Sequence, residues 1–425
     1  MPLQMTNLPM KSHWFWETNV CPIVCHPTIT TSVFCQCVFD NTACDLDSQV
    51  SALLWAYYMQ TTNGDESKLF IPMFNIPAKE LKLRKDAVHL FQSIDKSLID
   101  NLFFIDSVPL DQLVSLTSNG GDDEEKGNEN ASFKLKVHLM DHNKLSLSLD
   151  PILGPFVCFI IDHHKDEGQY LEQCGPNRHI AVCGSNVSLI MDYILSASAD
   201  TDYDALSSLG PVFGALVNAV ILLDTGAFSE NLKKTTETDT KIFKLLEAFN
   251  VNKDYRAWYD SLLALRTDSD GFGFADLLVK DLKIFKEGNT VFGIPGLGTS
   301  IQDIAATEQD TLFETIRAFQ IEKRLGIVPA MTIFEDKADH SLQRQLALFS
   351  DDHSLFKDVS TALQTQQNLA VLKLQPMDIQ KWKHQGQHML KATNQPFYYQ
   401  WWKMDVSISR KKLVPLLRQI LKSKL

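Results

Sequence analysis

Four short acidic segments stand out in this chain: Asn41-Thr-Ala-Cys-Asp45-Leu-Asp47-Ser48, Asp141-His142-Asn143, Asp162-His163-His164 and Asp224-Thr225. Each follows an apolar run. Carboxylate and imidazole groups are common ligands of divalent cations. Several carboxylates packed within a few ångströms repel one another, and some would have to take up protons. Asp45, Asp47, Asp141 and Asp224 carry four negative charges, which two divalent ions would neutralise. Asp45 and Asp47 are two residues apart, so in extended chain both would point the same way, toward different ions of one pair. A single Asp after a strand is commonly a turn former or a helix N-cap, and Asp162 can be read as only orienting the histidines. Four such acids, with a His-His pair after one of them, point instead to a metal centre.

These residues need elements to position them. Thr31 to Phe39 reads as a buried strand, and Gln49 to Gln60 has helical apolar spacing with Ser48 as its N-cap. Lys136 to Met140 and Phe156 to Ile161 read as strands. Gly214 to Leu223 reads as a helix end and a fourth strand running into Asp224. Strand and helix in alternation predict an α/β fold with a parallel sheet covered on both faces, and such sheets bind ligands beyond the carboxyl ends of their strands. The second half differs. Leu282–Phe285 and Val291–Ile294 flank Glu287-Gly288-Asn289 as a hairpin, Ile301 to Leu325 looks helical, Ile327 to Phe334 and Leu369 to Leu374 read as strands, and Arg410 to Leu425 is a final helix. This predicts a smaller mixed α/β domain. The expected division is residues 1–235 and 250–425, with polar, Thr-rich Ser229 to Lys241 as the hinge. Thr117 to Asn130 is a polar, acidic surface insertion to which no function is assigned.

Bulk properties bound the rest. A chain of 425 residues is long for one core. Its 44% hydrophobic and 22% charged residues are those of a globular protein, and no apolar run is long enough to cross a bilayer. A net charge of −12 argues against a binder of nucleic acid or of another polyanion, which would usually be basic overall. The eight cysteines lie in the first half without zinc-site spacing and are read as reduced thiols; with no secretory signal evident, a cytoplasmic monomer is expected. Ten Lys and Arg residues lie between Lys381 and Leu425, either as a solvated basic face or as a local anion funnel. Met1 to Thr30, with Trp14 and Trp16, is read as a cover over strand ends rather than a partner site.

The set NxxxDxDS, DHN, DHH and DT, in that order, resembles the DHH phosphoesterase superfamily. The chain lacks the GGGH-type motif of RecJ-like members. It has instead Asp281-Leu-Lys283-Ile-Phe285 and Ser407-Ile-Ser-Arg410-Lys411-Lys412, which resemble the DHHA2 subfamily of family II pyrophosphatases, fungal-type exopolyphosphatases and prune-type proteins. Ile76-Pro-Ala-Lys-Glu-Leu-Lys-Leu-Arg84 and the amide at Asn41, where pyrophosphatases have His, resemble the exopolyphosphatase and prune branch. The resemblance implies an exopolyphosphatase that releases terminal orthophosphate from inorganic polyphosphate, with water activated by two divalent cations, Mn2+ or Mg2+, in a cleft between the domains. Asn41, Asp45 and Asp141 would hold one ion; Asp47, Asp141, His163 and Asp224 would hold the other. His164 would serve as phosphate ligand or proton donor. Lys283, Arg410 and Lys411 would meet the substrate's phosphates, with His142 a less clear member of that set. The competing implications are a prune-like short-chain polyphosphatase or phosphodiesterase, a manganese-dependent pyrophosphatase, and an inactive scaffold that binds protein partners.

Overall fold

The structure is a computed structural model that describes residues 33–65, 67–119, 133–197, 202–250, 252–308, 311–377, 387–391 and 393–422. Residues 1–30 and most of the acidic insertion, from residue 120, lie outside the described residues; Thr117 to Asn119 close a helix. The chain divides into two compact units, Met1–Asp268 and Ser269–Leu425.

The first unit runs β1 (Val33–Phe39), α1 (Leu46–Thr62), β2 (Lys68–Phe74), α2 (Lys85–Ile94), α3 (Ser97–Asp100), β3 (Phe103–Phe104), α4 (Leu110–Asn119), β4 (Phe133–Met140), α5 (Asp150–Leu153), β5 (Val157–Asp162), α6 (Leu171–Cys174), β6 (Arg178–Ile180), α7 (Asn186–Ala197), α8 (Asp202–Thr225), α9 (Glu237–Leu245) and α10 (Tyr255–Thr267). Its six strands are all parallel, in the order β3-β2-β1-β4-β5-β6. From β1 the chain builds outward through β2 on one side, and from β4 through β5 on the other. The strand order therefore reverses between β1 and β4, and sheets of this kind bind ligands beyond the carboxyl ends at such a reversal. Phe39 is in register with Leu139, so the loops after both strands start side by side. Cys35, Cys37 and Phe39 bury on one face of β1 and Val38 on the other, as a parallel sheet covered on both faces requires.

Three expectations for this unit change. First, helix α1 begins at Leu46 and its N-cap is Asp45, which accepts from Ser48 N; Ser48 is inside the helix. Asp45 and Asp47 thus sit on a cap and a first turn, not on extended chain. Second, Gly214 to Leu223 is helix. Helix α8 is kinked at Gly210 (φ 70°), and Pro211 follows at a position a helix start tolerates. Leu216, Val217, Ala219, Val220 and Ile221 are all buried, so the run has no polar face to reveal its period. Third, the division falls at Asp268, not between 235 and 250. Ile242, Phe243, Trp258 and Leu262 of α9 and α10 belong to the first unit's core, and Thr236 and Asp239 form a capping box inside the segment expected as a hinge.

The second unit runs α11 (Phe274–Lys280), β7 (Leu282–Glu287), β8 (Thr290–Leu297), α12 (Ile301–Glu308), α13 (Leu312–Glu322), β9 (Val328–Glu335), β10 (Leu342–Ser350), α14 (His353–Leu363), α15 (Gln366–Leu372), β11 (Gln375–Pro376), β12 (His388–Met389), β13 (Pro396–Met404) and α16 (Arg410–Lys422). Its mixed sheet has the order β11-β13-β10-β9-β8-β7, with β12 paired to β13. The hairpin is as expected: Glu287 pairs Thr290 across Gly288 (φ 55°) and Asn289. One sheet face packs on α11, α12 and α13, the other on α14, α15 and α16. Leu369 to Leu374 is not a strand: Thr365 caps α15 by accepting from Asn368 N, and Lys373 ends it in the left-handed region. Strands β10 and β13 escaped the sequence reading.

Candidate metal centre

The two loops at the strand-order reversal meet. Asn41 Nδ2 donates to Asp141 Oδ2 at 2.7 Å. Its Oδ1 accepts from the backbone of Ala43 (2.8 Å) and Cys44 (3.0 Å), so the amide nitrogen, not the oxygen, faces the carboxylate. Arg84 holds this loop from below. Its buried guanidinium donates to the Ala43 carbonyl at 2.6 Å through Nη2, and through Nε to Ala43 and Cys44 at 3.2 and 3.3 Å.

Asp141 follows β4 in the left-handed region (φ 62°) and is buried. Its Oδ1 lies 3.2 Å from His163 Nε2 and 3.5 Å from His164 Nδ1, without a hydrogen bond. His163 Nδ1 lies 3.1 Å from the Cys183 carbonyl. That contact sets the tautomer with the proton on Nδ1 and the Nε2 lone pair turned to the carboxylates, the orientation a metal-ligating imidazole needs. Asp239 fixes the Cys183 loop by accepting from Gly184 N (2.9 Å) and Ser185 N (3.2 Å). Asp47 accepts from Asn186 N (2.6 Å) and Val187 N (3.0 Å) at the start of α7, with Oδ2 3.9 Å from His163 Nε2. Asp162 orients His164 rather than facing the cluster: it accepts from His164 N at 3.0 Å and holds Nδ1 at 2.8 Å, and Asn143 takes its other oxygen. The His164 ring is more than half exposed, with Nε2 left for a ligand.

Asp224, on the last turn of α8, meets Arg266 Nη1 at 3.5 Å, and Arg266 Nε meets Asp86 at 3.3 Å. Neither Arg266 nor Asp86 carried a motif in sequence; the pair belongs to α10 and α2, which only the fold brings to α8. His142 turns Nδ1 to the Met140 carbonyl (2.9 Å), and its Nε2 is buried without a partner.

The electrostatics are those of a crowded anionic pocket. Burial, opposed in part by His163, raises the Asp47 carboxyl. Burial, then Asp47 and Asp45, hold Asp141 well above the ordinary carboxylate range. Burial, then Asp47, do the same to Asp224 against the pull of Arg266. The Asp162 hydrogen bond raises His164, and burial lowers His142. Asp141 Oδ1 and Asp224 Oδ2 are buried acceptors without a donor. Unpaired buried carboxylate oxygens that raise one another's proton affinity suit a divalent cation, which would supply the missing positive charge. Asp141, His163 and His164 present ligand atoms within 4.8 Å of one another.

Comparison with known proteins bears on what this centre serves. The DHHA2 domain family matches residues 260–420. Mouse "Exopolyphosphatase PRUNE1" is 30% identical over 402 residues, covering 93% of this chain and 78% of its own length. The chain belongs to the prune-type exopolyphosphatase family. The human relative of the same name is 28% identical over 405 residues with the same coverage. As a prune-type exopolyphosphatase, the chain is a phosphoanhydride hydrolase with a parallel-sheet DHH unit followed by a DHHA2 unit.

In that second unit the structure brings two of the three expected phosphate contacts to one sheet face. Lys283 is the register partner of Ile294, whose carbonyl takes Arg410 Nη1 at 3.3 Å. Arg410 also grips both oxygens of Asp281 through Nη2, at 2.7 and 2.6 Å. Lys411 follows on the exposed first turn of α16.

Proposed function

We propose that this protein shortens inorganic polyphosphate from its end, releasing orthophosphate, at the Asp47–Asp141–His163 cluster. The observation that carries the reading is the pairing of the His163 tautomer with the donor-less oxygen of Asp141: an imidazole lone pair and a carboxylate aimed into one space 3.2 Å apart. Asp45, Asp47, Asp141, His163 and Asp224 would hold two divalent cations, Mn2+ or Mg2+. Asn41 would join them by turning its amide oxygen from the Ala43 and Cys44 backbone. When bound, such ions neutralise the carboxylates and make water a competent nucleophile near neutral pH.

The chain's own residues then act on the phosphates. His164, held by Asp162 and raised in proton affinity, keeps a proton at Nε2 for the departing phosphate oxygen. His142, whose Nδ1 donates to the Met140 carbonyl, presents an unpaired Nε2 lone pair and would meet a terminal phosphate oxygen only where that oxygen carries a proton. Lys283, Arg410 and Lys411 would meet phosphates of the substrate, since phosphoryl transfer depends on electrostatics more than on covalent participation. Six free cysteines among the described residues suit a reducing, cytoplasmic setting.

The test is phosphate release from long-chain polyphosphate, tripolyphosphate and pyrophosphate, each in Mg2+ and in Mn2+, with a chelator control. Release that is fastest on the longer chains and abolished by chelation is expected. Turnover of pyrophosphate alone would replace this reading with a pyrophosphatase.

A further inference from the structure

The mixed sheet of the second unit carries a cation that neither the motif reading nor the mechanism above uses. Arg344 lies on β10, in register with Ile333 of β9 and Met404 of β13. Two residues on, Leu346 packs with Met331, Trp402 and Ile294 beneath α16. Side chains two apart on a strand share a face, so Arg344 stands on the outer margin of that same face. Lys283 and Arg410 stand there too, the first opposite Ile294 and the second bonded to the Ile294 carbonyl. Gly296 lies on this face as well. A Cβ there would meet Asp281 Oδ2 at 2.2 Å, so the missing side chain lets Asp281 reach Arg410.

The charges do not balance. Asp281 meets Arg410, while among the described residues the Arg344 side chain has no hydrogen bond or ion pair, and its Nε is buried without a partner. A structural arginine normally finds a carboxylate or carbonyls, as Arg84 and Arg266 do in the first unit. Arg344 is half-buried, and an anion would complete the guanidinium whose Nε has no partner. Burial, then the charge of Arg410, lowers its proton affinity, which agrees with that placement.

We propose that Arg344 is a chain-length-determining substrate contact, taking a phosphate group of the polyphosphate other than the one met by Lys283 and Arg410. The assignment rests on the polyphosphatase reading given above. Strand β10 stands two strands from β8, about 10 Å across the sheet, and Arg344 pairs with Ile333, further along β9 than Met331, the partner of Gly296. A linear anion that spans the row gains the Arg344 fork, and a diphosphate is too short to do so.

The experiment compares Arg344→Gln, Arg344→Lys and the unaltered protein on pyrophosphate, tripolyphosphate and long-chain polyphosphate. Isothermal titration of the chelator-treated protein with the same three anions runs beside it. Expected for Arg344→Gln is a KM and a Kd for long-chain polyphosphate raised roughly tenfold, with pyrophosphate values and kcat near those of the unaltered protein. Arg344→Lys, which keeps the charge and loses the fork, should recover part of the loss. Equal losses at every chain length, or none at any, would overturn the assignment. An unaltered protein that releases no phosphate would sink the polyphosphatase reading instead, and the titration would then decide Arg344 alone.

Discussion

His163 and Asp141 show how single residues here are shaped by their hydrogen-bond partners. The Cys183 carbonyl selects the imidazole tautomer, and Asn41 occupies one carboxylate oxygen so that the other is left bare. The cost is stored repulsion: Asp47 and Asp141 are buried, Asp224 is half-buried, and each raises the proton affinity of its neighbours or is raised by them. Asp141→Asn should therefore stabilise the metal-free protein by about 1–2 kcal/mol, because a neutral amide removes one member of the repelling set. The same change should abolish the stabilisation that a divalent ion confers, about 2.7 kcal/mol at a hundredfold excess over Kd. Thermal unfolding with and without MnCl2 checks both parts. A variant that is less stable without metal, or still protected by it, would contradict this account. At this scale the sequence was largely legible: the acids and the His pair were visible by type and spacing. The acceptor Cys183 O and the cation Arg266 were not, since a backbone carbonyl has no sequence signature and Arg266 lies in a helix without a motif.

At the scale of elements, β1, β4 and α1 are joined by a buried polar chain directly beneath the centre. Trp55 Nε1 donates to His138 Nδ1 at 2.9 Å, which leaves the His138 proton on Nε2 to donate to Gln36 Oε1 at 2.8 Å. Full burial lowers His138 from about 6.5 to about 3. The folded state thus refuses a proton that the unfolded chain accepts. Stability is unaffected above about pH 6.5 and falls as the pH drops toward 3, by about 2 kcal/mol at pH 5. His138→Phe should lower stability at pH 7, because Trp55 and Gln36 lose their partner, yet flatten the loss between pH 7 and pH 5. Urea unfolding midpoints at the two values measure that slope, and an unchanged slope would assign the acid sensitivity elsewhere. Elements were legible where pattern and burial agreed, as in β1, β5 and the β7–β8 hairpin. They misled where an apolar run was buried on every side: α8 shows no period, so its Asp224 was expected at a strand end and lies on a helix turn.

For the whole molecule, a chain of net charge −12 is proposed to bind a polyanion. Long-range repulsion is screened over roughly 10 Å at ordinary ionic strength, whereas contacts at Lys283, Arg344 and Arg410 act at hydrogen-bond range. Raising KCl from about 50 to about 200 mM should raise KM for long-chain polyphosphate several-fold and for pyrophosphate much less, because more phosphate–cation contacts are given up. A fall in KM with salt would show that the overall charge, not the local cluster, governs binding. What the sequence determined alone was the chemistry: carboxylates and imidazoles in a fixed order, an α/β pattern for the first half, and cations reserved for the second. Only the tertiary structure decided which of them meet. Strand order puts the β1 and β4 loops side by side, and sheet register sets Arg344 on the face of Lys283 and Arg410. Such pairings join residues far apart in the chain through packing and hydrogen-bond register, which local spacing does not encode.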